Sequence, residues 1–427
     1  MKEKSTDPLI AVSQLKVGMF IHLDLGWMSH PFPLSSFKLA SEDQLLILRR
    51  LGLSEVRWSP GNSDLQADAT PLAAVSPVAG VNAAEKTSEE RAREAHRDAL
   101  AAQREAMQIC ERQYGEAAQA FKDVMDLVPR DPRIAKDQSI ALTGALLDKM
   151  LIEGELNIRL LNEGAGERST AHALNVSIIS LLLARAFGMN RGEMMDLGVG
   201  ALLHDVGKIE VLARLRHRDD AFTAAETAAY QQHVAKGVAL AQGMGLAAGP
   251  LLIIAQHHEN ADGSGFPQRI NMDRMSAGAR IVALVNRFDG LCNPLLASKA
   301  MTPHESLSLM FAQGRNRFDA TMLNAFIRKM GVYPPGSTVQ LTDDRFALVV
   351  AVNSSRPLKP RVMVHDPKIP REEALVVNLE VQPDLGIRRS LKPQQMPRAS
   401  LDYLSPRARV AYFFEPVSHA GAGELAA

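Results

Sequence analysis

The chain has 427 residues, more than a single domain usually contains, so we expect roughly two to four folded units. Its 48 basic and 48 acidic residues cancel, which argues against a partner such as DNA that is bound mainly through phosphate charge. Hydrophobic residues make up 46% of the chain and charged residues 22%, and this composition excludes a wholly disordered protein.

The cysteine content and the lengths of the apolar runs indicate the cellular compartment in which the protein is expected. Cys110 and Cys292 are the two cysteines of the sequence, too few for a disulfide framework or a cysteine-based zinc cluster. The N-terminus has no apolar stretch long enough for a signal peptide, and no run of about 18 uncharged apolar residues occurs. We therefore expect a cytoplasmic protein without a membrane span.

Residues 1–60 predict a small α+β domain. Two apolar runs of strand length, residues 9–15 and 17–25, precede a helical pattern that Ser41 would cap, and a short strand follows at residues 55–58. Residues 61–83 are rich in Pro, Ala, Ser and Gly and predict a linker.

Long helices are predicted over residues 84–165, leading into the next domain. Apolar residues recur at helical spacing as far as Val128, and prolines at 129 and 132 then break the helix. This amphipathic helix would either pack on the following domain or form a dimerising coiled coil. The heptads are irregular, so we favour packing, and a homodimer stays open.

The remaining chain predicts a helical bundle followed by strands. Residues 166–330 show a nearly continuous helical pattern. In residues 331–417 the helical pattern gives way to apolar runs of strand length, which predict a β-rich domain with a hairpin that turns at Asp343-Asp344. Residues 418–427 predict a frayed tail.

Five histidines and one aspartate within the predicted bundle suggest a metal site. Each histidine alone is more often an ordinary core or surface residue, and His217, in the charged run RLRHRDD, is interpreted as solvated. Together they resemble the way bundles build metal sites from facing helices, and imidazoles with a carboxylate suit Fe, Mn, Ni, Co or Zn. The candidate ligands are His172, His204, Asp205, His233, His257 and His258.

The number of ligands favours two ions. Five imidazoles and one carboxylate exceed what one tetrahedral ion needs, and Asp205 has two oxygens with which to bridge a pair. Two ions ~3.5–4 Å apart would hold a hydroxide and clamp a phosphodiester for in-line attack. Lys208, one helical turn beyond His204, would neutralise a phosphate oxygen. We therefore predict phosphate-ester hydrolysis with Asp205 and Lys208 as catalytic residues.

A glycine-rich loop follows the paired histidines. Asp262, Gly263, Ser264 and Gly265 would form a tight turn near the mouth of the site. Phe266 and Pro267 would present an apolar face to a nucleotide base or to a signalling protein. Asp262, Gly265, Phe266 and Pro267, with Lys208, are the predicted substrate-binding residues.

This ordered set resembles the HD-GYP family, bacterial metal-dependent phosphodiesterases that open the cyclic dinucleotide c-di-GMP. The match runs from His172 through the HDVGK and HHE runs and the DGSGFP loop to about Leu291, and the N-terminal part is similar to the uncharacterised domain that often precedes it. The resemblance implies a mainly α fold, an HD-type helical bundle flanked by a small N-terminal α+β domain and a small β-rich C-terminal domain.

The resemblance also assigns roles. It implies two divalent ions, Fe or Mn before Ni, Co or Zn. One would be held by His172, His204 and Asp205, and the second by Asp205, His233, His257 and His258. Lys208 would contact the scissile phosphate, and Phe266 stands where the family's loop has tyrosine.

Besides Phe266, two positions depart from the family pattern. Asn286 stands where the family has a metal-binding aspartate, and an amide oxygen binds a cation without adding charge. Asp289, three residues later, would support the site from behind the ligands. Arg168 stands where family members with three metals have glutamate, so two ions are the expected maximum.

Two hypotheses from different classes follow. The first is a c-di-GMP phosphodiesterase with a binuclear His/Asp centre. The alternative, motivated by Asn286, is a degenerate member that senses c-di-GMP or docks a signalling partner without turnover. A related cyclic dinucleotide as substrate stays open within the first.

Overall fold

The computed structural model describes residues 7–25, 30, 32, 36–64, 87–151, 155–161, 167–217, 221–313, 316–353 and 356–416. The chain divides into two compact units, residues 1–99 and 100–427. The predicted linker lies outside the described residues from residue 65 onward, and the predicted tail lies outside them entirely. Within the described ranges, no helix has the length and apolar character needed to span a bilayer.

The first unit contains a small antiparallel sheet and one short helix. The strands are β1 (Leu9–Ala11), β2 (Phe20–His22), β3 (Ser36–Lys38) and β4 (Glu55–Ser59), in the order β1-β4-β2-β3. Helix α1 (Glu42–Arg50) begins as predicted, because the Ser41 hydroxyl accepts a hydrogen bond from the Gln44 amide. The predicted α+β character of this region is confirmed.

Helix α2 (Ser88–Leu127) begins in the first unit and runs into the second. Within the second unit it buries one face, through Cys110, Tyr114, Ala117, Phe121 and Val124. These residues are spaced alternately four and three apart, so they lie on one stripe of the helix.

The second unit is mainly helical. The Asp131 carboxylate accepts a hydrogen bond from the Ile134 amide at the start of α3, where Pro132 is the first helical residue. The helices are α3 (Pro132–Met150), α4 (Arg168–Ala186), α5 (Arg191–Leu203), α6 (Ala224–Met244), α7 (Ala248–Gln256), α8 (Ala277–Cys292), α9 (Pro303–Gln313), α10 (Ala320–Met330) and the short α11 (Arg398–Leu404).

Helix α4 is the centre of this bundle. Every residue from Ala173 to Ala184 is buried, so the helix is enclosed on all sides by its neighbours. It packs against α5 and α8. Helix α5 also packs against α7, and helix α6 packs against the 3-10 segment Val206–Glu210. These contacts join the elements into one bundle.

A seven-stranded sheet completes the second unit. Its strands are β5 (Leu156–Leu160), β6 (Thr338–Leu341), β7 (Phe346–Asn353), β8 (Arg361–Val364), β9 (Val376–Asn378), β10 (Ile387–Leu391) and β11 (Tyr412–Pro416). The main path runs β10-β6-β7-β5-β11, and β8 pairs with β7 and β9. The predicted hairpin is the β6–β7 pair, which confirms the β-rich character of the C-terminal region.

Strand β5 departs from the prediction of helices throughout residues 84–165. Leu156–Leu160 is buried along its whole length and lies between β7 and β11, paired with both. Its partners follow it by roughly 200 residues or more, and such long-range pairing decides the structure of a short segment that local spacing leaves ambiguous.

Candidate metal centre

Four helices bring the predicted histidines together. His172 lies in the first turns of α4, His204 directly follows α5, His233 lies within α6, and His257 directly follows α7. His204 and His233 are 0% exposed and His257 is 1% exposed, so these imidazoles are withdrawn from solvent.

Three of these rings are oriented by the same contact, a hydrogen bond from Nδ1 to the carbonyl oxygen three residues earlier in the chain. The Nδ1 atom of His204 lies 2.7 Å from the Ala201 carbonyl oxygen. The corresponding distances are 2.6 Å from His233 to Tyr230 and 2.8 Å from His257 to Ile254. A carbonyl only accepts, so each Nδ1 must donate, and a neutral ring then carries its lone pair on Nε2.

The Nε2 atoms face one another in pairs. His172 Nε2 lies 3.1 Å from His204 Nε2, and His233 Nε2 lies 3.4 Å from His257 Nε2. In His172 the Nδ1 atom donates to the Asp289 carboxylate at 2.6 Å, so its lone pair is also on Nε2. Facing lone pairs repel, whereas nitrogens about 3.0–3.4 Å apart suit two ligands of one ion with bonds of ~2.1 Å. The rings therefore fit a metal.

Asp205 lies between the two pairs. Its Oδ2 atom is 3.5 Å from His172 Nε2 and 3.4 Å from His204 Nε2, and its Oδ1 atom is 3.5 Å from His233 Nε2. Oδ1 is buried and has no hydrogen-bond partner among the described residues. An unpaired anionic oxygen among imidazole lone pairs is costly unless a cation is present.

The donor atoms form two groups that share Asp205. In each group the ligand atoms all lie within 4.8 Å of one another. One group contains His172, His204 and Asp205, and the other contains Asp205, His233, His257 and His258. This chemistry of imidazoles and one carboxylate suits a transition metal at each position.

The charges at the centre are set by burial and by Lys208. Burial opposes ionisation of Asp205, but Lys208, whose Nζ lies 2.6 Å from Oδ2, and the nearby His204 hold the pKa of Asp205 well below its usual range. Burial lowers the pKa of His233 to about 4 and that of His257 well below its usual value. Neutral imidazoles next to an ionised carboxylate are the forms that bind metals.

His258 connects the donors to the predicted loop. Its ring stacks on Phe266 with centroids 4.4 Å apart, and its Nε2 atom lies 3.4 Å from the Tyr230 hydroxyl oxygen. Tyr230 also places its ring 5.7 Å from Lys208 Nζ. Phe266, a predicted substrate-binding residue, thus contacts His258, a predicted metal ligand.

The rest of the loop is held by its own hydrogen bonds. Buried Glu259 accepts bonds from the amides of Gln268 and Arg269 at 2.7 and 3.1 Å. The exposed Asp262 accepts from the Ser264 amide at 2.9 Å, which is a turn-forming contact. At Gly265, an added Cβ would lie 2.4 Å from the Asn260 amide nitrogen, so the close approach requires glycine. Asp262 and Gly265 therefore shape the loop, and their binding to substrate stays a prediction.

A glycine also allows the HDVGK segment to reach α6. A Cβ on Gly207 would lie 2.0 Å from the His233 carbonyl oxygen and 2.4 Å from the Gly237 amide nitrogen. The 3-10 segment that follows Asp205 therefore packs backbone to backbone against the helix that carries His233. This close approach places the segment that carries Asp205 directly against the helix that carries His233.

Asp289 is surrounded by hydrogen-bond donors. Its Oδ2 accepts from His172, and its Oδ1 accepts from the amides of Asn175 and Asn293 at 2.7 and 2.9 Å. Both asparagines also donate to the Val410 carbonyl oxygen at 3.0 Å. Asn175 and Asn293 were not among the predicted site residues, because an asparagine within a helix or at its end gives no signal of its own.

Two further residues considered in the sequence analysis, Asn286 and His217, are half-buried. Asn286 is half-buried on α8, one turn before Asp289, and its role as a ligand stays a prediction. His217 was interpreted as solvated, yet it is half-buried, and its pKa is lowered to about 4 by burial, with Arg168 and Lys208 next in effect. Its charged neighbours in the sequence hid its proximity to the centre.

Comparison with known families finds two matching domains in the chain. Residues 155–322 match the HD domain, and residues 9–138 match a domain of unknown function, DUF3391. The chain contains an HD domain. The match includes α4 to α8 and every predicted ligand, and the domain of unknown function precedes it, as the resemblance implied.

Several curated proteins are similar to this HD-domain chain. Cyclic di-GMP phosphodiesterase PA4108 of Pseudomonas aeruginosa is 28% identical over 83% of this chain and 84% of its own length. Cyclic di-GMP phosphodiesterase PdeB of Borreliella burgdorferi is 22% identical over 45% of this chain and half of its own length. The 3'3'-cGAMP-specific phosphodiesterase 2 of Vibrio cholerae is 28% identical over 40% of this chain and 34% of its own length.

A solved structure also aligns with the chain. Bd1817, a HDG"Y"P protein from Bdellovibrio bacteriovorus, is 17% identical, covers 75% of this chain and 97% of its own, and has a TM-score of 0.41.

Proposed function

We propose that this chain is a metal-dependent phosphodiesterase that hydrolyses c-di-GMP at a binuclear His/Asp centre. The observation that carries the proposal is the convergence of paired imidazole lone pairs on both sides of Asp205, whose buried Oδ1 has no hydrogen-bond partner among the described residues. Such a centre suits attack on a phosphodiester without a protein nucleophile.

Each donor has a role in this proposal. His172 and His204 would hold one ion, His233, His257 and His258 the other, and Asp205 would bridge them. Bound divalent metals would supply Lewis acidity, both to activate water and to neutralise phosphate charge. The carbonyl oxygens of Ala201, Tyr230 and Ile254 hold three of the rings in the metal-binding tautomer.

Lys208 and Phe266 would contact the substrate. Burial alone would lower the pKa of Lys208, but Asp205 and Tyr230 raise it, so the ammonium stays charged near a phosphate. Phe266 is stacked on His258 and offers the apolar face of the loop to a nucleotide base. The Lys208 contact would serve any phosphodiester, whereas stacking on Phe266 favours a nucleotide ester over a simple alkyl ester.

The named activities of the similar proteins guide the choice of substrate. PA4108 aligns over most of both chains and is named a cyclic di-GMP phosphodiesterase, whereas the 3'3'-cGAMP enzyme aligns over 40% of this chain. We therefore propose c-di-GMP, with 3'3'-cGAMP as the competing substrate in the test.

The test begins with the metal content of the purified full chain. About two ions per chain should be present after loading with Fe or Mn, and the loaded protein should linearise c-di-GMP faster than 3'3'-cGAMP. His204→Ala and Asp205→Ala should abolish turnover and lower the metal content. His304→Ala is the matched control, because its Nδ1 bonds the Val332 carbonyl oxygen and it belongs to neither donor group.

Two results would contradict the proposed function. Tight binding of c-di-GMP by calorimetry, without hydrolysis of any cyclic dinucleotide under Fe or Mn loading, would replace the enzyme with the sensor hypothesis. Loss of activity in His304→Ala equal to that in His204→Ala would remove the assignment of the centre.

A further inference from the structure

Arg168 lies beside the proposed centre but belongs to neither group of donors. It is the first residue of α4, four residues before His172. Residues four apart lie on the same face of a helix, so Arg168 shares the face from which His172 reaches the metal position.

Two hydrogen bonds fix the guanidinium group. Nε and Nη2 donate to the Asn293 carbonyl oxygen at 3.3 and 3.0 Å. The third nitrogen, Nη1, is buried and has no hydrogen-bond partner among the described residues. A buried cationic N–H without an acceptor is costly, so an anionic acceptor at this position would remove a real penalty.

The charges around Arg168 point in the same direction. Burial lowers its pKa, Arg409 lowers it further, and Asp289 and Asp205 oppose the fall. Arg168 in turn acts on the pKa values of Lys208 and His217. Arg409 acts on Arg168, and Arg168 acts on Lys208, so two permanent cations and an ammonium lie within electrostatic range in this chain of neighbours, and like charges repel unless an anion lies between them.

We propose that Arg168 binds a non-bridging oxygen of the phosphodiester that reacts at the centre, with Lys208 on a second oxygen. This inference rests on the proposed function and adds a substrate-binding residue to it. The Asn293 carbonyl oxygen occupies Nε and Nη2 and holds the planar guanidinium in place before substrate arrives, which leaves Nη1 to donate to the phosphate oxygen.

A purely structural role is the competing explanation. The Asn293 carbonyl follows the end of α8, and an arginine that bonds such a carbonyl stabilises the helix end. That role predicts lower stability on mutation but no change in the affinity for phosphate. The two explanations are therefore separable by measuring both quantities.

The experiment compares Arg168→Gln and Arg168→Lys in the metal-loaded full chain. Arg185→Gln is the matched control, because Arg185 lies on the same helix about 25 Å away along the axis. Calorimetry with inorganic phosphate should give an affinity roughly tenfold lower in Arg168→Gln, as expected for loss of one charge-assisted hydrogen bond. Arg168→Lys should lie between wild type and Arg168→Gln, and Arg185→Gln should match wild type. Metal content should be equal in all four proteins.

Turnover gives the second readout. KM for c-di-GMP and for bis(p-nitrophenyl) phosphate, which has one phosphate, should both rise in Arg168→Gln, because the proposed contact is with the reacting phosphate. A loss seen with c-di-GMP alone would overturn this assignment. Unchanged phosphate affinity with normal metal content would overturn it as well, and so would loss of metal from Arg168→Gln.

Failure of the proposed function is distinguishable from failure of this inference. If the wild-type chain hydrolyses neither substrate, the phosphodiesterase proposal fails. The calorimetric comparison with inorganic phosphate then still decides whether Arg168 binds a phosphate oxygen, since it needs no turnover.

Discussion

His172 and Asp289 are joined by a hydrogen bond of 2.6 Å between Nδ1 and Oδ2. The carboxylate that accepts this bond is 0% exposed, and its other oxygen is held by two asparagine amides. This arrangement fixes the ring of His172, directs its Nε2 towards His204 and raises the basicity of that nitrogen. In the proposed centre, Asp289 would thus act through His172.

Replacing Asp289 with asparagine should weaken metal binding at the His172 position. The amide lacks the charge that makes the imidazole a stronger ligand, and loss of such a partner costs roughly 10–100-fold in metal affinity. Metal content after dialysis against a chelator series measures the effect. Asp273→Asn, on an exposed 3-10 turn, is the control and should keep the wild-type curve. Equal curves for both variants would refute the role given to Asp289.

Asn286→Asp should strengthen the same metal position. Asn286 precedes Asp289 by one turn of α8, and a carboxylate adds the charge that an amide oxygen lacks. We expect tighter binding of the first ion and a higher rate at limiting metal. Asn271→Asp changes an exposed residue by the same atoms and serves as the control. A variant that gains no affinity would show that Asn286 is not a ligand.

Gly207→Ala should be strongly destabilising. The new methyl group would lie 2.0 Å from the His233 carbonyl oxygen, so α6 must move away from the segment that carries Asp205. Overpacking of this kind costs about 1–3 kcal/mol or more, and the displacement should also lower metal affinity. Urea unfolding and metal titration measure the two effects.

Gly243→Ala is the matched control for Gly207→Ala. It lies in α6 with no atom within 4 Å of the added Cβ, and alanine is the better helix former by about 0.5–1 kcal/mol. The control should be as stable as wild type or more so. Similar losses in both variants would show that the contact at Gly207 is not the cause.

The histidines and the aspartate that the fold brings together could be selected from the sequence because their chemistry is carried by residue identity. His204, Asp205, His257 and His258 stand at the ends of apolar helices, where buried ionisable groups need a reason. The N-cap of α1 at Ser41 and the helix break before α3 at Pro132 could also be predicted, because each signal acts within a few residues of its own position.

The supporting contacts could not be predicted, because they join distant parts of the chain. The Asn293 carbonyl accepts the bond from Arg168 over a separation of 125 residues, and the Asn175 side-chain amide donates to Asp289 over a separation of 114 residues. Strand β5 pairs with β11, which is formed by residues more than 200 positions later. His217 has charged neighbours in the sequence, and only the fold brings it near Arg168 and Lys208.

Lys149 predicts how stability depends on pH. It is fully buried on α3, and burial lowers its pKa to about 7, against the opposing effects of Asp148 and Glu116. In the unfolded chain a lysine has a pKa of about 10.4. Between these values the unfolded chain binds more protons than the folded chain, so this residue makes the free energy of unfolding rise with pH from about 7 to about 10, by at most ~1.4 kcal/mol per unit.

Lys149→Met removes this contribution. The variant should exceed wild type in stability most clearly at pH 6, where the folded wild type buries a charged ammonium, and the difference should shrink towards pH 9. Urea unfolding of both proteins at pH 6 and pH 9 measures it, and the difference between the proteins cancels the other titrating groups. Lys368→Met, at an exposed position, should show no such change with pH. A difference between Lys149→Met and wild type that is constant with pH would mean that burial of Lys149 does not shift its titration.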